Sequence, residues 1–283
     1  MATFTNKATL SYNGGSVDSN TVTGNFLETL AVTKTALLET YTSGSRLTYV
    51  IALVNSGSST FTGLTVTDDL GAYDVGTVTL YPLNYVDGAL LYYVNGVLQP
   101  EPAVTTSQPL TVGGISVPAS GNAVLVYAVD VTEAASPTVD GSIVNTVTVS
   151  GGGLPEALSA TETVFALNAP TLSITKALSP TSVTEAEQIT YTFVIQNSGN
   201  TEAVATDDLT VTDVFDPILE IGSVTLNGVA LEEGTGYTYD SATGSFATVP
   251  GVITVPAATY TQTPSGSYVV EPGTAVLVVV GTI

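Results

Sequence analysis

The chain has 283 residues with 25 acidic groups against 4 basic ones, a net charge of −21. Such a surface repels phosphate backbones and anionic lipid, so nucleic-acid partners and membrane insertion are excluded. Cysteine and histidine are both absent, which removes disulfides, thiolate or imidazole metal sites and Ser-His-Asp chemistry. No cofactor is expected.

Hydrophobic residues make up 44% of the chain and charged ones 10%, so there is ample apolar surface to bury. Val, Thr and Tyr recur between Gly and Pro, a composition that predicts short strands and turns throughout. In chain order, TFTNKATLSYNGG and SVDSNTVTGNF read as two strands around the Gly14-Gly15 turn. A longer run follows: LAVTKTALLETYTSGSRLTYVIALVNSG from Leu30, then LTVTD from Leu64, GTVTL from Gly76, AVLVYAVDV from Ala123, and a hairpin of SIVNTVTVSGGG with ALSATETVFAL. From Leu172 the run repeats as LSITKALSPTSVTEAEQITYTFVIQNSG, LTVTD from Leu209, GSVTL from Gly222 and AVLVV from Ala275. Lys34 with Lys176, Tyr49 with Tyr191 and Asn55 with Asn197 pair at one constant spacing. The chain therefore holds two copies of one β domain, expected at 27–168 and 169–283, after a leading hairpin at 1–26.

Copy two reaches Ile283 at the place that Val131 holds in copy one, so its closing hairpin is expected to be missing. The leading segment supplies a match for it. Phe4-Thr5-Asn6 aligns with Ile143-Val144-Asn145, and Ser19 to Thr23 aligns with Ser159 to Thr163. The expectation is donation: residues 2–26 of one subunit complete copy two of the next by strand addition, through Phe4, Ala8, Leu10 and Tyr12. Donor and acceptor are different surfaces, so the contact propagates into a homopolymer. Three plainer readings compete: a leader without structure, a segment pairing within copy one, or a sequence cut in mid-domain.

Strand alternation places residues i, i+2 and i+4 on one face. Lys34 then shares a face with Val32 and Ala36, Asp68 with Leu64 and Val66, and Asn145 with Ile143, Val147 and Val149. In copy two the same positions are Lys176 and Asp213, and in the leading hairpin Asn6 lies with Phe4, Ala8 and Leu10. A Lys, an Asp and an Asn on apolar faces should find one another, because unpaired buried charge is costly.

These copies resemble the Ig-like conserved-repeat domains of bacterial surface proteins. The resemblance is carried by the first-strand TK, the YxxxxxN(S)G strand and the following VTD, and it covers nearly the whole chain. It implies two tandem Ig-like β-sandwiches, each of about seven or more strands. Related pilin and adhesin domains carry autocatalytic Lys–Asn isopeptide bonds promoted by a buried carboxyl. By that similarity Asp68 would promote a bond between Lys34 and Asn145, and Asp213 one between Lys176 and Asn6 of the next subunit. The competing reading is a non-covalent Lys–Asp pair with a hydrogen-bonded Asn.

The expected function is a structural subunit that assembles head to tail into an extracellular fibre on a cell or spore surface. The alternative is an adhesin or rigid stalk that binds a host or glycan ligand. The acidic pairs Asp68-Asp69 and Asp207-Asp208 show no ordered calcium-loop spacing, and no metal site is expected. Paired carboxylates around a cleft are also lacking, so the chain is not expected to be an enzyme. No signal peptide or transmembrane run is legible, so export is expected through a signal outside this sequence or by lysis of a mother cell.

Overall fold

The computed structural model describes residues 3–25, 29–184 and 187–283. The described chain is all-β apart from one short 3-10 turn, Ala205–Asp207. It divides into two compact units, Met1–Ser136 with Gly141–Phe165, and Pro137–Asp140 with Ala166–Ile283.

Copy one is a sandwich of two six-stranded sheets. The first runs Val97–Gln99, Leu91–Val94, Gly121–Val131, Arg46–Asn55, Leu30–Ala36, with Leu83–Tyr85 also on Gly121–Val131. The second runs Val104–Ser107, Leu110–Val117, Phe61–Asp68, Ser142–Gly151, Leu158–Ala166, Thr40–Tyr41. Period-two alternation builds the core from both: Leu47, Tyr49, Ile51 and Leu53 are buried from one strand, Leu64 and Val66 from another, Val147 and Val149 from a third. The intervening residues face outward, as the pleat requires.

Copy two keeps the first sheet: Leu172–Ser179, Gln188–Asn197, Gly273–Thr282, Glu220–Leu226, Val229–Ala230. Among the described residues its other sheets are a three-stranded one, Thr212–Val214, Ser245–Thr248, Tyr237–Asp240, and a two-stranded ribbon, Thr259–Gln262 with Tyr268–Glu271. Among the described residues Thr212–Val214 pairs with Ser245–Thr248 alone, whereas in copy one Phe61–Asp68 lies between Leu110–Val117 and Ser142–Gly151. Phe193, Phe215, Phe246, Leu277 and Val279 form the core. The Leu172–Ser179 strand is exposed along its whole length.

One sequence correspondence is corrected. Among the described residues Val78–Leu80 of GTVTL pairs only with Tyr73–Val75, in a small ribbon. In contrast, the GSVTL strand lies beside Gly273–Thr282 and turns at Asn227-Gly228. Its counterpart is Leu91–Val94, which turns at Asn95-Gly96 beside Gly121–Val131. Both asparagines hold positive φ, 49° and 51°, and each side-chain oxygen accepts the N–H of a residue on the neighbouring strand. The shared VTL letters pointed to the wrong hairpin; the Asn-Gly turn marks the right one.

The leading segment is a hairpin that, among the described residues, pairs with no other strand. Thr3–Asn6 pairs with Val22–Asn25, and Thr9–Tyr12 with Gly15–Asp18 around Asn13-Gly14. A Lys7–Asp18 ion pair at 2.7 Å braces it on its polar side.

Candidate cross-linking sites

In copy one, Leu30–Ala36 and Phe61–Asp68 belong to opposite sheets, so Lys34 reaches Asp68 across the core. The two side chains are 0% and 1% exposed, with Nζ 2.5 Å from Oδ2. Asp68 is held on every side: Oδ2 also accepts the Tyr127 hydroxyl, and Oδ1 accepts the Leu70 N–H at 2.9 Å. Ser142–Gly151 pairs with Phe61–Asp68 with Val147 opposite Asp68, and Asn145, two residues away, falls on the same inward face. It is fully buried.

Tyr49 and Tyr127 are cross-strand partners with rings stacked 5.9 Å apart, and Lys34 Nζ lies 5.0 Å from the Tyr49 ring. Both phenols are near enough to Asn145 for its carboxamide to act on their acidity. No contact, however, meets the distance and angle of a hydrogen bond, and Asn145 Oδ1, Asn145 Nδ2 and the Tyr49 hydroxyl are all left without a partner. Burial pushes the Lys34 amine below its ordinary 10.5, against the attraction of Asp68. Burial likewise pushes both phenols above 10.

Copy two holds the same pair uncovered. Lys176 Nζ hydrogen-bonds Asp213 Oδ2, 4.5 Å from the Tyr191 ring and 5.5 Å from those of Phe193 and Phe215. Its side chain is 40% exposed, and that of Asp213 17%. Val279 faces Tyr191 where copy one has Tyr127 opposite Tyr49. Beside the pair an open apolar cleft of about 190 Å³ is lined by Leu172, Ile174, Ile195, Leu209, Val211 and Ile253.

Asn6, Phe4, Ala8, Leu10 and Tyr12 lie on the leading hairpin, all exposed. Phe4 pairs with Gly24 and Asn6 with Val22, as Ile143 pairs with Val164 and Asn145 with Glu162. Cross-strand partners share a face, so Phe4, Leu10, Tyr12, Val17 and Val22 line one side, each more than half exposed. The Phe4 ring occupies the space above Gly24 that any Cβ would need.

Asn55 and Asn197, the repeated N(S)G asparagines, are structural. Asn197 Nδ2 donates to the carbonyls of Thr201 and Pro256, and Oδ1 accepts the N–H of Thr171 and Gly199. The roles of Tyr49 and Tyr127 escaped the sequence reading. The available signal was a tyrosine at an inward strand position, since a buried phenol needs a partner for its hydroxyl.

No protein-family model matches the chain, and no curated protein matches it by sequence. Among solved structures it is similar to the major pilin subunit of Bacillus cereus, at 11% identity and a TM-score of 0.36, over 95% of this chain and 73% of that one. The pilus backbone protein of Streptococcus pneumoniae is similar at 13% and 0.35, over 90% and 50%. A family 123 glycoside hydrolase from Clostridium perfringens matches at 11% and 0.33, and the chain spans only 28% of its length. Likenesses this distant assign no function. Among the described residues no three acidic groups cluster to hold a metal, and no helix is long and apolar enough to cross a membrane.

Proposed function

We propose that this chain is the structural subunit of an extracellular fibre, at a cell or spore surface, assembled head to tail by donation of its leading hairpin. One observation carries the reading. The hairpin repeats the strand register of the piece that closes copy one, it presents an unburied apolar face, and the site this piece covers in copy one stands open in copy two. Docked as Ser142–Gly151 docks, Ala8 would lie opposite Asp213 and Leu10 opposite Val211, and Asn6 would reach Lys176. The apolar side chains of the hairpin would cover the cleft at Leu172 and Ile174, each large one contributing roughly 1.5–3 kcal/mol when fully buried. The surface placement follows the repeat pattern shared with bacterial surface proteins.

In the same reading each Lys–Asp–Asn set forms an amide. A buried ammonium beside a carboxylate gives up its proton readily, because neither charge is solvated. Neutral Lys34 attacks Asn145 Cγ, and Asp68 carries the displaced proton to Nδ2. The Cγ–Nδ2 bond then breaks, releasing ammonia and leaving an amide between the two side chains. In copy two the partner is Asn6 of a neighbouring subunit, so the bond joins molecules.

Negative-stain microscopy tests assembly. The full chain should form filaments, and a chain lacking residues 2–26 should stay as single particles. Long filaments from the shortened chain would overturn donation, and so would a full-length chain that remains monomeric at high concentration.

A further inference from the structure

Four buried polar atoms among the described residues of copy one make no hydrogen bond: both ends of the Asn145 carboxamide, the Tyr49 hydroxyl and the Tyr85 hydroxyl. An orphaned polar group in a folded core is costly and calls for a functional account. Three of the four, those of Asn145 and Tyr49, lie together. Tyr49 lies under Lys34, its neighbour across the strands is Tyr127, and Tyr127 holds the carboxylate that pairs with Lys34. The orphan phenol and the orphan carboxamide therefore share one closed site with an amine and a carboxylate.

We infer that the Tyr49 hydroxyl is the oxyanion donor of amide formation in copy one, and Tyr191 its counterpart in copy two. The inference rests on the cross-linking chemistry proposed above. As Lys34 Nζ adds to Asn145 Cγ, the carbonyl π electrons move onto Oδ1, where negative charge develops. A hydroxyl with no other partner is free to donate there, inside a site from which water is excluded, and hydrogen bonding is strongest in such surroundings. When the tetrahedral centre collapses, the electrons return to the carbonyl, Nδ2 leaves as ammonia with the proton brought by Asp68, and the phenol keeps its own proton. Its acidity suits the role: burial holds the phenol protonated well above neutrality.

The two phenols divide the work. Tyr127 is committed to Asp68, and copy two carries Val279 at that place. Tyr191 is kept beside Lys176, 4.5 Å from Nζ to ring. The shared element is the phenol on the Arg46–Asn55 and Gln188–Asn197 strands, where an oxyanion donor is required at both sites. The phenol that holds the carboxylate in copy one has no counterpart at the equivalent place, Val279, in copy two.

Tyr49→Phe removes the hydroxyl alone, leaving the ring under Lys34. Intact-mass spectrometry after refolding should show ammonia lost from the wild-type chain and the loss slowed about 100-fold or more in the variant, the scale of removing one oxyanion donor. In an Asn145→Ala background, where no bond can form, Tyr49→Phe should unfold at the same temperature as its parent or higher, because a partnerless hydroxyl has been removed. Tyr191→Phe should slow the appearance of detergent-resistant oligomers while filaments still form. Ammonia loss at the wild-type rate in Tyr49→Phe would overturn the oxyanion role and leave the cross-linking reading intact. A clear loss of stability in the Asn145→Ala background would also overturn it, in favour of packing. A wild-type chain that retains its full mass would overturn both.

Discussion

Asn145→Ala separates the covalent and non-covalent readings of copy one by the sign of its effect. If Lys34 and Asn145 are joined, the amide closes a loop of about 100 residues in the unfolded chain. By the chain-entropy relation for cross-links, such a loop is worth about 4.7 kcal/mol. Losing it should lower the melting temperature of copy one by roughly 10–20 °C, at about 2–4 °C per kcal/mol for a unit of this size. If the pair is only electrostatic, the substitution deletes two buried polar atoms that have no partners. It should then be neutral or stabilising, with relief of about 1–3 kcal/mol per orphan set against a small cavity. Differential scanning calorimetry on wild type and variant, with intact mass on the same samples, measures both terms. A variant that melts at or above the wild-type temperature, from a wild type that retains its ammonia, would refute the covalent reading.

Other outcomes follow from the same geometry. Lys176→Ala should abolish detergent-resistant oligomers on gels while leaving ammonia loss in copy one unchanged, since only the exposed pair is removed. Leu10→Asp places a charge on the hairpin's apolar face. It should raise the critical concentration for filament formation at least 10-fold by light scattering; an unchanged value would remove this face from the interface. Asn197→Ala deletes four hydrogen bonds made by a fully buried side chain, and at about 1 kcal/mol each copy two should lose several kcal/mol in urea unfolding. In the Asn145→Ala chain Lys34 has a depressed pKa when folded, so the unfolded state binds more protons below 10.5. Stability should therefore rise with pH as it approaches the ordinary lysine value. Above 10 the trend reverses, because Tyr49 and Tyr127 stay protonated in the folded state and ionise in the unfolded one.

Much of this arrangement was legible in the sequence because strand geometry has a period of two. Once Lys34, Asp68 and Asn145 are each flanked at ±2 by apolar residues, alternation alone sends them inward. The structure brings all three to one place. What alternation does not specify is which sheet and which height a strand occupies. GTVTL and GSVTL share letters and polarity pattern yet sit in different pairings, since a short strand's partner is set by the turn beside it. The LTVTD blocks diverge similarly. Phe61–Asp68 is a full strand between two neighbours, whereas in copy two only Thr212–Val214 pairs, after a turn with Asp208 at φ 52°. The phenols were invisible for another reason: tyrosine in a strand is ordinarily half-buried packing, and Tyr49 stands apart only because its partnerless hydroxyl is buried at the Lys34–Asp68–Asn145 site.

The contrast between the two Lys–Asp pairs sets an order of events. Lys34, with no exposed side-chain surface, is shielded from water and its ammonium is disfavoured; Lys176 is 40% exposed. An amine open to water, with no carboxamide beside it, has nothing to attack, so the amine in copy two should react only after a neighbouring hairpin has covered it and brought Asn6 into register. Docking and chemistry are thus sequential, and an asparagine that drifts past an open cleft is not captured. In a time course on full-length chains, light scattering should rise first and detergent-resistant oligomers should follow with a lag. Chains carrying Asn6→Ala should reach the same scattering but dissolve completely when boiled in detergent. Two results would break this sequence: resistant oligomers forming in denaturant, where no hairpin can dock, or forming from Asn6→Ala chains at the wild-type rate. In the first, burial would not be what activates Lys176; in the second, Asn6 would not be what it attacks.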